Sequence, residues 1–390
     1  MIILDKPYIS EFLLRTLEKN KTQVISNSGV AELTRGWDLN VISEDAAIQL
    51  FTGLSTPLLY TNSENSISWI ENNLHQTNLP DKVKLFKNKV LFRDLLKDLY
   101  PGYFYKSVSL DSLENVDITS FPLPFIIKPA VGFFSLGVYK VENFTEWEET
   151  VDAIKKEIGL IKNLYPPEVL HTGEFIIEEC IPGEEFAIDC YFNSAGKPIV
   201  LNIMKHIFSS GKDVNDRVYI TSKEIIENYI SPITTFLAEI GKRSDLKNFP
   251  AHVEVRIDEK GMVAPIEVNP LRFGGWCSTP DLAFHAFGIN LYEYLFQQKT
   301  PDWDTILQGK DELIYSNIVL NNSTGIEGKN IWAFDYEKLL TGFEKPLELR
   351  KTDFRKFPLF GFLFCETRKQ NMKELDQILV SDLTDYISVG

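Results

Sequence analysis

HVEVRIDEKGMVAPIEVNPLRFGG, residues 252–275, holds two alternating runs on either side of Asp258-Glu259-Lys260-Gly261, the kind of turn residues that join a β-hairpin. With an even-length loop centred near Glu259 and Lys260, Val253, Val255 and Ile257 share a face with Met262, Ala264, Ile266 and Val268. That face is core. Side chains alternate across a strand, so the opposite face collects His252, Glu254 and Arg256 from the first strand and Glu267 and Asn269 from the second. Two carboxylates and an amide converge. A slip of one residue would turn Glu254 onto the apolar face, so burial of the apolar set is what fixes the register.

A plainly solvated face is the competing reading, because antiparallel sheets commonly wet one side. Three features weigh against it. Glu267 is followed at strand spacing by the neutral oxygen ligand of Asn269, Pro270 stops the strand, and Arg272-Phe273-Gly274-Gly275 supplies a cation and then bare backbone. Oxygen ligands of this kind suit Mg²⁺ (or Mn²⁺), hard cations that keep positions for water and substrate phosphates. The expectation is a phosphate-bridging metal site built from Glu254, Glu267 and Asn269.

These residues resemble the ATP-grasp superfamily, where an acid, a Glu thirteen residues on and an Asn two later hold the magnesium of Mg-ATP; Glu254, Glu267 and Asn269 stand in those places. The stretch from Glu267 to Gly275 looks like its carboxylate–amine ligase branches. A departure is His252, where D-Ala:D-Ala ligases carry an arginine.

The chain of 390 residues is longer than one typical core, so two or three subdomains are expected. Its 44% hydrophobic and 24% charged residues mark an ordinary globular protein. A net charge of −15 argues against a surface that tracks nucleic acid or anionic membrane, so an anionic ligand must be held by locally placed cations. Cys180, Cys190, Cys277 and Cys365 lack CxxC spacing, which suggests neither a zinc site nor a disulfide framework. The start MIILDKPY has no long apolar run, and nothing later approaches the ~20 residues that span a bilayer. The expectation is a cytoplasmic enzyme with reduced thiols.

From residue 1 to about 85, short strands alternate with helical patterns (Ile2–Leu4, Pro7–Asn20, Gln23–Ile25, Leu58–Tyr60, Ser66–Leu74), an open α/β layer pattern. No GxGxxG follows the first strand, so it does not read as a dinucleotide fold. The resemblance implies an α/β protein in three parts: an N-terminal open α/β domain over 1–85, a two-subdomain ATP-grasp core over 86–300 with a lid at about 105–185, and a small C-terminal α+β lobe over 301–390.

Val90, Phe92, Leu95, Leu96 and Leu99 lie roughly along one helical stripe in the segment from Lys87 to Tyr100, which Asn88 would cap. Read alone, a lysine at such a helix start is a solvated surface residue; by the resemblance Lys89 reaches the α-phosphate. Pro124–Val141 reads as strand, glycine-bearing loop and strand, able to bend over a triphosphate and aim N–H groups at it. No Lys-Ser/Thr follows Gly137, which disfavours a P-loop. By the resemblance Lys128 and Ser135 contact phosphates, with Phe133 and Phe134 bulkier than many relatives have there. Glu174–Phe192 gives strand, turn at Pro182-Gly183 and strand. Four acids there could be solvated charge; the resemblance makes the stretch the adenine hinge, with backbone contacts at Glu179 and Ile181, Glu178 flanking and Glu185 on the ribose. Lys205 is its candidate cation near the γ-phosphate, Arg272 the one for charge on the transferred phosphoryl or acyl phosphate, and Gly274 and Gly275 the amides for the substrate carboxylate. Ser278-Thr279-Pro280-Asp281 reads as a helix start.

The leading expectation is a ligase that uses Mg-ATP to activate a carboxylate as an acyl phosphate for attack by an amine. Its partners would be small-molecule acid and amine substrates, with no nucleic acid and no membrane; dimers are common in the family. An ATP-grasp kinase and a non-catalytic ATP-binding regulatory protein are the alternatives.

Overall fold

The computed structural model describes residues 1–132, 137–161, 171–210 and 216–389. Ser135 and the middle of the polar loop after Phe208 lie outside them. Four short parallel strands, β1 (Ile2–Ile3), β2 (Gln23–Ile25), β3 (Asn40–Ile42) and β4 (Tyr60–Thr61), form a sheet in the order β3-β2-β1-β4. Helices link them, as the alternation requires. The first runs Glu11–Asn20 rather than from Pro7, because the Ser10 hydroxyl accepts the Leu13 N–H and fixes the start.

A second sheet, order β5-β8-β6-β7, comprises β5 (Tyr105–Ser109), β6 (Phe125–Val131), β7 (Tyr139–Val141) and β8 (His171–Glu179). It has its own core, in which Phe125, Ile127, Phe175 and Ile177 pack with Val151 and Ile154 of the helix Trp147–Ile161. The other faces of β6 and β8 carry Lys128 and Glu178. Ahead of this sheet the chain runs as two helices, Leu79–Lys87 and Lys89–Leu96, and Asn88 caps the second by accepting the Val90 and Leu91 N–H groups at 2.9 and 3.1 Å.

The largest sheet is antiparallel and eight-stranded. It contains β9 (Glu184–Phe192), β10 (Pro198–Ile207), β11 (Val218–Ser222), β12 (Phe249–Ile257), β13 (Val263–Pro270) and β14 (Leu313–Asn321). Beyond β15 (Ile331–Phe334) the chain adds β16 (Pro346–Lys351) and β17 (Leu359–Arg368), then closes with β18 (Ile387–Val389). The order is β13-β12-β9-β10-β11-β14-β17-β16, while β15 and β18 pair as a separate ribbon. The C-terminal strands thus continue the sheet that carries the acid hairpin. The helix Lys223–Ser244 packs Ile226, Ile233, Leu237 and Ile240 in the core that backs this sheet. Among the described residues no helix is long and apolar enough to cross a membrane.

Candidate active site

In the hairpin β12–β13, His252 pairs with Asn269, Val253 with Val268 and Glu254 with Glu267; the next pair is Val255 with Pro265. Ile266 is the extra residue of a β-bulge. Nearer the tip Ile257 opposes Val263, so the loop is Asp258–Met262, five residues rather than an even number. Gly261 takes the left-handed conformation (φ +79°) that this turn needs. Bulge and odd loop cancel, and Glu254, Glu267 and Asn269 share one face. The expected apolar face is corrected at three positions: Met262 belongs to the tip and is 51% exposed, Ala264 opposes Arg256 and so lies on the acid face, and Ile266 at the bulge is half-buried.

The Asn269 amide nitrogen lies 3.1 Å from Glu267 Oε1 and 3.5 Å from Glu254 Oε1. The two acids are electrostatically unequal. Burial would raise Glu267, yet Lys89, whose Nζ is 3.0 Å from Glu267 Oε2, and then Lys87 hold it well below the carboxylate range. Glu254 is pushed well above that range, by burial and then by the neighbouring charges of Glu267, Glu185 and Asp216. A hard cation would relieve that repulsion, and once the Asn269 amide is turned to present its oxygen, the three side chains offer the all-oxygen set Mg²⁺ or Mn²⁺ takes. The residues fit such an ion.

Cations line the approach to the acids. Lys89 also reaches the Gly132 carbonyl at 3.4 Å, and Lys128 lies 2.5 Å from Glu178 Oε1. Arg93 closes that group, its Nε 2.8 Å from Glu178 Oε2 and its Nη1 2.6 Å from the Pro265 carbonyl. Glu178 is buried, which would raise it, but Lys128 and Arg93 bring it down to about 2. Glu178 is thus tied to both cations. Arg272 reaches Glu64 of the N-terminal segment, its Nη2 2.7 Å from Oε1, and Lys87 takes Oε2 at 2.7 Å. Burial notwithstanding, that pair brings Glu64 to about 2. Two residues separate Asn269 from Arg272, and Leu271 accommodates the second in a left-handed conformation (φ +61°).

At the hinge the Glu179 carbonyl accepts from the Tyr103 hydroxyl at 3.1 Å, and its N–H donates to Phe104 O at 3.0 Å. The Ile181 carbonyl accepts from Arg256 Nη1 at 3.1 Å. Each carbonyl keeps one lone pair for a ligand. Glu185 lies on the acid face but is tied to His206 Nδ1 at 3.0 Å and to Arg256 at 3.0 and 3.2 Å. Lys205 is corrected: it is paired with Glu184 on the opposite face of the sheet, because neighbours on a strand alternate. His206, not Lys205, points to the acid side.

Glu64, Lys87, Arg93 and Asp189 also take part, though no motif in the sequence marks them. Asp189 is fully buried, and its Oδ1 accepts from His252 Nδ1 at 2.7 Å and from the Gly274 N–H at 3.0 Å. Gly274 N–H is shared with Thr279 Oγ1 at 2.8 Å, so it is not free for a substrate. A buried Asp in register with a strand histidine is a signal that period-2 reading of Glu184–Phe192 would have found.

A four-stranded sheet beside a large antiparallel sheet, with paired acids and converging cations, is the arrangement of the ATP-grasp fold. Residues 121–280 match the ATP-grasp domain family, and the chain carries that domain. Over its full length the chain resembles the crystal structure of L-amino acid ligase from Bacillus licheniformis, with 20% identity, 98% of that chain covered and a TM-score of 0.67. Biotin carboxylase from Campylobacter jejuni, in a β,γ-ATP complex, is 12% identical with a TM-score of 0.64, covering 100% of this chain and 91% of that one. N5-carboxyaminoimidazole ribonucleotide synthetase from Thermotoga maritima is 15% identical with a TM-score of 0.62, covering 100% and 98%. No curated protein matches the chain in sequence.

Proposed function

We propose that the chain uses Mg-ATP to activate a carboxylate as an acyl phosphate and joins it to an amine, releasing ADP and phosphate. The observation that carries this is the pairing of Glu254 and Glu267 beside Asn269, with Lys89 on one carboxylate and Arg272 close enough to act on both electrostatically. Likeness in fold to a ligase of L-amino acids supports amino acids as the first acids and amines to try.

Glu254, Glu267 and Asn269 would hold Mg²⁺, which when bound neutralises phosphate oxygens. Lys89 and Lys128 would exchange their carboxylate partners for phosphates, and Arg272 would meet the charge of the transferred phosphoryl group. Positioning and charge neutralisation do most of the work in phosphoryl transfer. Ile126, Lys128, Ile176 and Glu178 share one face of their sheet; on this reading that face is the other wall of the cleft, 86–300 would be the nucleotide core and 105–185 its lid. A pairwise screen of amino acids with Mg-ATP, followed by phosphate release, tests the reading. Phosphate released only when both an acid and an amine are present supports it; a single phosphorylated product, an AMP product or saturable ATP binding without turnover overturns it.

A further inference from the structure

Arg350 of β16 is 6% exposed, and its Nη1 donates to the Trp276 carbonyl at 3.0 Å. Its Nη2 pairs with Asp281, 3% exposed, in the first turn of the helix Ser278–Phe287. The rings of Tyr8 and Phe364 each lie 5.1 Å from the guanidinium carbon, an arrangement that suits a cation kept from water. Asp281 Oδ1 in turn accepts from Ser10 Oγ at 3.3 Å. Side chains from the first ten residues, from the turn after the hairpin and from a C-terminal strand therefore meet at one ion pair.

The turn they enclose has an unusual backbone. Trp276 and Cys277 both sit in the left-handed region, at φ +56° and +55°, where residues with a Cβ are disfavoured. Two such residues in succession persist only where the surroundings over-determine them. Here the Trp276 ring is stacked on Tyr8 with centroids 6.0 Å apart and meets Phe357 edge-on at 5.1 Å, Ser278 Oγ donates to the Gly275 carbonyl at 2.9 Å, and Arg350 holds the Trp276 carbonyl. The turn begins one residue after Gly274, whose N–H is taken by Asp189 and Thr279, and it leaves Gly275 exposed.

We infer that Arg350 is a positioning residue for the acid substrate: by clamping the Trp276 carbonyl it holds the left-handed turn that aims the Gly275 amide at the substrate carboxylate. This deepens the ligase reading and rests on it. It also gives the C-terminal strands a part in the site, since the clamp comes from the outermost of them.

The test is amide hydrogen exchange on the full chain, which needs no substrate. Arg350→Lys keeps a cation for Asp281 but has no second arm for Trp276; the double variant R350M/D281N removes both charges and strands neither. In each, exchange across residues 274–282 accelerates about tenfold, the loss of one charge-assisted hydrogen bond, while the hairpin 252–269 stays as protected as in the wild type. With Mg-ATP and pooled amino acids, R350K raises the half-saturating concentration of the pool about fivefold and leaves that of Mg-ATP unchanged. Unchanged exchange at 274–282 in both variants, or acceleration spread equally into the hairpin, overturns the inference. A wild-type chain that releases no phosphate with any pool sinks the ligase reading instead, and the exchange result still decides whether Arg350 clamps the turn.

Discussion

Glu254 and Glu267 face each other directly across the hairpin, and Lys89 contacts only the second. One acid is compensated by the protein and the other is not, which on the proposed reading is what a cation site requires. Adding Mn²⁺ or Mg²⁺ at millimolar concentration to the nucleotide-free protein should raise its melting temperature by about 2–4 °C. Glu254→Gln should abolish that rise while making the metal-free protein more stable by up to ~1 kcal/mol, because the like-charge contact is gone. Differential scanning fluorimetry with and without the ion reads both effects.

Glu267→Gln removes the acid that Lys89 holds ionised. Turnover should fall at least ~100-fold, as expected when a charge-stabilising group is lost, with the circular dichroism spectrum unchanged. Metal-dependent phosphate release near the wild-type rate in this variant would refute the metal assignment.

Glu178 and Glu64 set the acid limb of stability. Each is held at about 2 in the folded chain by two buried cations, against an ordinary value of 4.5. A carboxylate lowered in the folded state contributes stability that is present above its unfolded value and is lost as pH falls toward its folded one. The urea midpoint should therefore drop as pH is lowered from 4.5 toward 2, and the drop should be shallower in Glu178→Gln. At neutral pH that variant should already be about 3 kcal/mol less stable, since Arg93 and Lys128 are left buried without their partner.

Lys205→Ala should keep activity within about twofold of wild type, as surface substitutions usually do, because its ammonium pairs with Glu184 away from the acids. Lys128→Met should instead weaken binding of a non-hydrolysable ATP analogue about tenfold or more, the loss of one charge-assisted contact. Calorimetric titration of both variants distinguishes the two lysines.

Much of this was legible in the residues. Alternation alone gathers Glu254, Glu267 and Asn269, and Asn88 announces the helix that begins at Lys89. The acids share the face that alternation predicts, although the loop is one residue longer than an even turn, because the bulge at Ile266 restores what the odd turn removes. A bulge leaves no period-2 signature, so this was invisible. Lys205 misled because family spacing ranks position along a strand, whereas pairing decides the face: with His206 bonded to Glu185, its neighbour must point away. Glu64 and Lys87 were hidden for another reason. They act through a contact between residues 208 apart in sequence, Arg272 and Glu64, which no local pattern encodes.

The compensation between turn and bulge separates the hairpin tip from its base. A reporter peptide spliced between Glu259 and Lys260 would lengthen a loop that lies beyond the last strand pair, Ile257 with Val263, and leave the pairing that sets Glu254 against Glu267 in place, so this tip is a natural handle for labelling the chain.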